Sequence, residues 1–373
     1  MDALMLPLNW QRVRLGDIGK PCMCKRVMKH QTTRYGEIPF YKIGTFGNTA
    51  DAFISKKLFL EYKTKYSFPK KGDILISASG TIGRAVIYDG KPAYFQDSNI
   101  VWIDNDETLV KNDFLFYAYS NVKWNTEHTT ILRLYNDNFR NTLIPLPPLN
   151  EQSAIADILS ALDRYLYALD ALILKKEGVK KALSFELLSQ RKRLKGFNQA
   201  WQRVRLGDIA NYLTSNLSAE QITQQGKIKV YDVNNFIGYT DTTFISDKPY
   251  ISIVKDGSVG RVRILPPKTN ILSTMGALIA NHRTTTEFLF YLLSNFDFKN
   301  FTSGSIIPHI YFKDYKEKTI FLPPLNEQSA IANILSALDK EIASLKNKKR
   351  QFENIKKALN HDLMSAKIRV LEK

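Results

Sequence analysis

The chain has 373 residues, of which 44% are hydrophobic and 24% charged, and this composition is typical of folded proteins rather than of disordered ones. One hydrophobic core seldom serves so long a chain, so two or more domains are expected. Lysine and arginine number 53 against 36 acidic residues, which gives a net charge of +17. Such an excess favours a polyanionic partner, nucleic acid first, or else a surface that only keeps the protein soluble.

Cysteine content and hydrophobic patterning exclude further classes. Cys22 and Cys24 are the only cysteines, which is too few for a disulfide scaffold, and no run approaches the ~18 apolar residues that span a bilayer. The first residues lack the basic flank and apolar core of a secretory signal. We therefore expect a cytoplasmic protein that binds no membrane. The two cysteines with His30 form a weak metal motif, so neither a metal nor a cofactor is predicted.

Two long repeats show that the sequence is a tandem duplication. The segment WQRVRLGDI at 10–18 returns unchanged at 201–209, an offset of 191. The segment LPPLNEQSAIA at 146–156 returns at 322–332, an offset of 176. The first copy therefore holds 15 more residues than the second between these landmarks. The variable part of each copy lies between two fixed ends.

The variable parts predict a mixed α/β domain in each copy. The turn Gly80–Arg84 matches Gly257–Arg261, and both are flanked by short apolar runs. Phenylalanine-rich and leucine-rich segments at Asp113–Ser120 and Thr286–Ser294 predict short buried helices. Alternating and β-branched residues predict strands at Ile74–Ser77, Ala85–Tyr88, Ile100–Ile103, Ile228–Val233 and Val262–Leu265.

A long helix is predicted after each LPPLNEQ segment, because a proline-free stretch begins there with a glutamate in its first turn. Apolar or lysine positions then step alternately by three and four residues over about 40 residues, or about 60 Å. In the first helix these positions are Leu159, Leu162, Leu166, Leu169, Ile173, Lys176, Lys180, Leu183 and Leu187. In the second they are Leu335, Leu338, Ile342, Leu345, Lys349, Phe352, Lys356, Leu359 and Leu363. The two seams predict a coiled coil, or else two helices that each pack on their own domain.

Chain connectivity predicts the direction of this pairing. The first helix carries the chain from the first domain to the second, and the second helix follows the second domain, so paired seams must run antiparallel. We therefore predict an α+β fold with two similar mixed α/β domains separated by an antiparallel coiled coil, with pseudo-two-fold symmetry. The predicted boundaries are 1–148 for the first domain, 149–195 for the central helix, 196–324 for the second domain and 325–373 for the C-terminal helix.

The segments WQRVRLGDI and LPPLNEQSAIA each occur twice, and a long helix is predicted after each LPPLNEQ copy. This arrangement resembles the specificity subunit of type I restriction-modification systems, over essentially the whole chain. The chain is short for that family, and its second domain is trimmed. The resemblance implies that each variable domain is a target-recognition domain that reads one half of a split sequence in double-stranded DNA. It implies that the helices set the length of the unread spacer. It also implies as partners two adenine-methylating modification subunits, together with translocating restriction subunits.

The motifs that the sequence lacks favour a non-catalytic role. It contains no Asn-Pro-Pro-Tyr methyltransferase signature, no glycine-rich S-adenosylmethionine loop and no phosphate-binding loop for ATP. The five histidines form no pattern with a nucleophile. We therefore expect the chemistry to come from partners. Three alternatives stay open: an enzyme with hidden chemistry, a scaffold that binds only protein, and a DNA binder without sequence preference.

Basic and amide side chains in polar loops are the candidate DNA contacts, because arginine and lysine pair with guanine, asparagine and glutamine pair with adenine, and others only anchor phosphates. In the first domain the candidates are Lys25, Arg26, Lys29, His30, Arg34, Lys42, Lys63, Lys65, Arg84 and Arg133. In the second domain they are Lys227, Lys229, Lys248, Lys255, Arg261, Arg263, His282, Arg283, His309 and Lys313. Each of them is either a contact or an ordinary solvated side chain. Arg84 and Arg261 occupy matching places, which favours phosphate anchoring or a role in the shared fold over base reading.

The start of each long helix is a candidate docking site for a partner protein. Its glutamates have the wrong charge for phosphate and suit a helix N-terminus, so docking and simple capping are the two interpretations. The predicted docking residues are Asn150, Glu151, Gln152, Asn326, Glu327 and Gln328. Lysine runs at 175–176, 180–181 and 346–350 either line the DNA between the two half-sites or keep the helices soluble.

Overall fold

The computed structural model describes residues 7–128 and 132–370 of the chain. It contains two compact units, the first formed by residues 1–169 and 348–373 and the second by residues 170–347. Each unit therefore contains one copy of the duplicated domain, together with part of each long helix. These units divide the chain differently from the boundaries predicted from sequence, because each long helix contributes to both.

The first unit contains the following elements. Its strands are β1 Gln11–Arg14, β2 Gly19–Met23, β3 Ile38–Tyr41, β4 Phe53–Ile54, β5 Ile74–Ser77, β6 Ala85–Ile87, β7 Tyr94–Phe95, β8 Ile100–Asn105, β9 Glu127–His128, β10 Leu132–Arg133 and β11 Leu143–Leu146. Its helices are α1 Leu15–Ile18, α2 Lys56–Lys65, α3 Asn112–Tyr119, α4 Asn136–Asn141 and the first part of α5 Leu149–Leu188.

The second unit repeats most of this order. Its strands are β12 Gln202–Arg205, β13 Ala210–Thr214, β14 Ile228–Tyr231, β15 Phe236–Thr240, β16 Tyr250–Val254, β17 Val262–Leu265, β18 Thr269–Ile271, β19 Met275–Ala280, β20 Thr302–Ser303, β21 His309–Ile310 and β22 Thr319–Leu322. Its helices are α6 Thr286–Ser294, α7 Phe312–Tyr315, the last part of α5 and the first part of α8 Leu325–Met364. The predicted strands and short helices are therefore present in the structure, and their ends differ from the predicted ends by at most two residues.

Both domains are built from the same sheets. A four-stranded antiparallel sheet has the order β2-β8-β5-β6 in the first domain and β13-β19-β16-β17 in the second. A three-stranded sheet has the order β4-β3-β7 in one and β15-β14-β18 in the other, each with one parallel pair. Ribbons β1-β11 and β12-β22 join the entry of each domain to its exit. The mixed α/β prediction is confirmed in both copies.

Two cores account for the apolar runs in the central strands. In β5, Ile76 belongs to a core that also contains Phe114 of α3 and Leu159 of α5, whereas Leu75 belongs to a second core with Trp102. Successive residues of a strand point to opposite faces, so both faces of β5 are buried and both must be apolar. Each fully buried aliphatic or aromatic side chain contributes about 1.5–3 kcal/mol.

The extra residues of the first copy lie mainly between β3 and β5. Helix α2 occupies this interval in the first domain, and its N-cap is Ser55, whose hydroxyl accepts a hydrogen bond from the Leu58 amide at 3.2 Å. Phe59 of α2 is buried in the second core. The second domain has strand β15 and a turn in the same interval. The duplication therefore kept the sheets and changed a peripheral element.

The long helices pair antiparallel within each unit. In the first unit, the rings of Tyr165 and Phe352 lie 4.7 Å apart, and Lys356 forms an ion pair with Asp163. In the second unit, Lys176 forms an ion pair with Glu341 at 2.8 Å. Residue numbers rise along α5 as the partner numbers fall along α8. The seam positions are buried or half-buried, so the prediction of paired rather than independent helices is confirmed inside each unit.

Candidate nucleic-acid interface

A cleft of about 510 Å³ in the first domain gathers four predicted DNA contacts, Arg26, Lys29, Lys42 and Arg133. Its wall includes the turn at 96–99, in which Ser98 has a φ of 54°, an uncommon conformation for a residue other than glycine. Strained turns of this kind cluster at binding sites. The cleft also contains amide side chains, Gln96 and Asn99, which the predicted set of residues did not include although amides suit adenine.

The other basic candidates of the first domain lie elsewhere. Lys63 and Lys65 are on α2, where Lys63 lies over Phe68 at 5.3 Å and Lys65 forms an ion pair with Glu61 at 3.1 Å. Lys25 lies 5.0 Å from the ring centre of Tyr66, just beyond α2. His30 is exposed on the 3-10 helix Lys29–Gln31, and Arg34 is exposed in the loop before β3. The structure thus brings the ten candidates together only in part.

The matched arginines hold loops of their own domains. Arg84 donates to Asn48 Oδ1 at 3.5 Å, and Arg261 donates to Asn234 Oδ1 at 2.8 Å. Both asparagines follow the central strand of the three-stranded sheet, β3 or β14. These contacts support the interpretation that the two arginines serve the shared fold, and phosphate anchoring stays a prediction.

The remaining candidates of the second domain are spread over strands, a short helix and several loops. Arg263 donates to the Asn234 carbonyl at 2.9 Å, and Arg283 donates to Gln202 Oε1 at 3.3 Å near the start of the domain. Lys313 lies 5.5 Å from the ring centre of Tyr311. Lys229 is exposed on strand β14, and Lys255 is half-buried. The exposed loop candidates are Lys227, Lys248 and His282.

One pair in the second domain combines a histidine with a carboxylate. The Nδ1 atom of His309 lies 2.7 Å from Asp256 Oδ1, and the two side chains are 35% and 30% exposed. The backbone of this segment is fixed as well, because the Gly257 amide donates to the Pro308 carbonyl at 2.8 Å. Tyr311 lies against the imidazole with nearly parallel planes, at 6.5 Å between ring centres. The imidazole ring of His309 is therefore held in place at the start of strand β21.

The glutamates of the LPPLNEQ segments link the two repeated motifs to each other. Trp10 Nε1 donates to Glu151 Oε2 at 3.0 Å, and Arg369 donates to both oxygens of Glu151 at 2.7 and 2.9 Å. The second unit repeats this arrangement with Trp201 at 2.9 Å and Arg193 at 2.6 and 3.2 Å from Glu327. Both carboxylates are buried, and bidentate arginine compensates the buried charge.

The adjacent glutamines are also used internally. Gln152 accepts from the Lys111 amide at 2.8 Å and donates to the Pro147 carbonyl, and Gln328 donates to the Pro323 carbonyl in the same way. Both side chains are fully buried. Four of the six predicted docking residues therefore present no side-chain surface to a partner in this structure. Docking through the exposed Asn150 and Asn326 stays a prediction.

The comparisons with known proteins bear directly on this duplicated architecture. The family model described as the type I restriction modification DNA specificity domain matches residues 7–176 and again residues 198–354. The chain belongs to this family. One specificity domain therefore falls on each copy of the duplication, and each match extends from the entry ribbon into a long helix.

Individual proteins similar to this chain are described as specificity subunits. A Haemophilus influenzae protein, provisionally assigned as a type I restriction enzyme specificity subunit, is 64% identical over 148 residues, which are 39% of this chain and 38% of that relative. The MjaVIII specificity subunit of Methanocaldococcus jannaschii is 25% identical over 99% of this chain and 95% of its own. The solved S subunit from M. genitalium shares the fold, with a TM-score of 0.64 at 20% identity, over 97% of this chain and 98% of that one.

The structure also describes the candidate metal ligands and the long helices. In the described ranges, no group of three or more metal-binding side chains is found, and no helix is long and apolar enough to cross a membrane. Burial raises the pKa of the Cys24 thiol to about 12, which disfavours the thiolate that a metal needs. Burial also raises the pKa of Cys22.

The lysine runs of the helices that follow each specificity domain have a use that the sequence did not predict. Lys176 and Lys180 form ion pairs with Glu341 and Asp339, and Lys346 pairs with Glu177 at 2.6 Å. These pairs join α5 to α8 within the second unit. Neither lining DNA nor solubility is needed to explain these three lysines.

Proposed function

We propose that this chain is the DNA-reading component of a type I restriction-modification assembly, in which each specificity domain reads one half of a split target. The observation that carries the proposal is the duplication of one scaffold whose loops differ in charge and shape between the copies. A protein that reads two different words with one fold needs this combination. Membership of the specificity family and a net charge of +17 support it.

The long helices set the length of the unread spacer in this proposal, and the methyltransferase subunits, two per chain, bind the shared scaffold. Restriction subunits join that complex and supply cleavage. The chain itself contributes recognition and no catalysis, and it works in the cytoplasm. Sequence-independent affinity arises from the basic surface, whereas base edges supply the specificity.

The test is single-molecule methylome sequencing of a host that expresses this chain with its cognate methyltransferase subunit, beside a host that lacks only this chain. We expect a split motif with methylated adenine that disappears when the chain is absent. An unchanged methylome, although the purified complex forms and binds DNA, contradicts the proposal. A chain that forms the complex but shows no DNA affinity at low salt is instead a scaffold for proteins.

A further inference from the structure

Two matched hairpins carry different side chains on the same backbone. In the first domain the hairpin is β9-β10, and the Leu134 amide donates to the Ala78 carbonyl at 2.9 Å. In the second domain the hairpin is β20-β21, and the Ile310 amide donates to the Lys255 carbonyl, also at 2.9 Å. Each hairpin therefore lies beside the turn that begins at Gly80 or Gly257, in the same register.

At the equivalent bridge, Arg133 pairs with Ser79 in the first domain, whereas His309 pairs with Asp256 in the second. The Ser79 hydroxyl is buried and donates to Asn99 Oδ1 at 2.7 Å, and no hydrogen bond between this hydroxyl and the arginine is found among the described residues. Among the residues that the structure describes, no hydrogen bond or ion pair engages the Arg133 guanidinium, which lines the basic cleft. Asp256 instead binds the imidazole directly at 2.7 Å.

Residues that serve the shared fold are the same in both copies. Trp10 matches Trp201, Glu151 matches Glu327, and each pair makes the same contacts in its own unit. A residue that reads a base must differ wherever the two half-sites differ. The bridge position changes from guanidinium to imidazole while the backbone around it is kept, which is the pattern expected of a reader.

We propose that Arg133 in the first domain and His309, positioned by Asp256, in the second are equivalent specificity-determining residues that contact base edges in the major groove. This inference rests on the proposed function. Arg133 offers the parallel N–H donors that match guanine O6 and N7. The Asp256 carboxylate can only accept a hydrogen bond, so it selects the His309 tautomer with the proton on Nδ1. Nε2 is then an acceptor, which suits the exocyclic amine of adenine or cytosine.

The experiment transfers the bridge residues of the first domain to the second domain. The double variant Asp256→Ser with His309→Arg places the side chains of the first domain on the second hairpin, and its methylome is compared with that of the wild type. We expect one base position in one half of the motif to change toward guanine, with methylation of the original word reduced about tenfold or more. The other half of the motif stays as it was. In the first domain, Arg133→Gln is expected to change one position of the other half.

Three controls separate the possible outcomes. Lys318→Ala removes an exposed charge from the segment before β22 and is expected to leave the motif intact. Purification of each variant with the methyltransferase subunit shows that it folds. His309→Ala, which removes the proposed Nε2 acceptor, replaces a double variant that fails to assemble. Assembled bridge variants that still methylate the original words overturn the inference. A wild-type chain that directs no split motif overturns the proposed function instead.

Discussion

At the residue scale, the buried glutamates explain why the two repeated motifs occur together. Glu151 and Glu327 each accept from a tryptophan at the domain entry and from an arginine that follows the end of a long helix. Arg193 and Arg369 stand 176 residues apart, the same offset as the LPPLNEQ segments, and this spacing is the signal that the search for DNA contacts passed over. Entry strand, helix start and helix end are thus tied at one buried carboxylate.

Replacing Trp201 by phenylalanine tests this role. The substitution removes the N–H that donates to the buried Glu327, so we expect the free energy of unfolding to fall by about 1–3 kcal/mol. Trp10→Phe, in the first unit, is the matched variant and should cost a similar amount. Urea titration followed by circular dichroism measures both, with Tyr167→Phe as a control because Tyr167 is 79% exposed. Tryptophan variants as stable as the control contradict this role.

Cys24 gives a pH dependence with a defined sign. Burial raises the pKa of its thiol from 9.0 to about 12, so above pH 9 the unfolded chain loses this proton more readily than the folded protein does. The folded state then binds more protons, and stability falls as pH rises, by roughly 1 kcal/mol per pH unit from this group. Unfolding of Cys24→Ala between pH 8 and 10.5 should show a weaker pH dependence than that of the wild type. An equal pH dependence of stability in the two proteins would contradict a raised pKa of Cys24 in the folded state.

At the element scale, the charged seam contacts repeat in both units. Tyr117 donates to Asp163, which also pairs with Lys356, and Tyr291 donates to Asp339, which also pairs with Lys180. Burial, followed by the neighbouring carboxylate, raises the pKa of both tyrosines. Lysines in a heptad seam are thus accommodated because aspartates and tyrosines face them.

Charge exchange across the seam tests this explanation. Lys356→Asp places two carboxylates side by side and is expected to destabilise the chain by about 2 kcal/mol, since the pair is half-buried. Adding Asp163→Lys restores the opposite charges and should recover most of the loss. Chemical denaturation of the single and double variants measures the recovery, and Lys65→Ala, from an exposed pair, should change stability by less than about 0.5 kcal/mol. A double variant no more stable than the single one would argue against pairing.

The elements predictable from sequence were those with strong local patterns. Strands β5 and β17 and helix α6 have the predicted ends, because apolar runs bounded by residues such as glycine, aspartate, proline or asparagine are specified locally. Helix α2 was missed because its only buried residue is Phe59, so its apolar periodicity is weak. The burial of Glu151 and Gln152 was missed too, since a charged or amide side chain reveals its partners only after distant segments meet.

At the scale of the whole molecule, the duplication separates the residues that hold the fold from the loops that we propose to read DNA. The scaffold contacts around Glu151 and Glu327 are the same in the two units, whereas the loops around Arg133 and His309 differ. A conserved frame with variable loops allows one domain to change its word without disturbing the other. The basic surface adds affinity that should fall steeply with salt and carry no sequence information.

The measurement that tests this account most directly is the methylome of a chimera in which residues 11 to 145 are replaced by the corresponding domain of a relative. The account predicts that one half of the methylated motif changes to the relative's word while the other half and the position of the methylated adenines in it stay the same. A change in both halves, from a chimera that assembles with the methyltransferase as the parent does, would contradict independent reading by two domains.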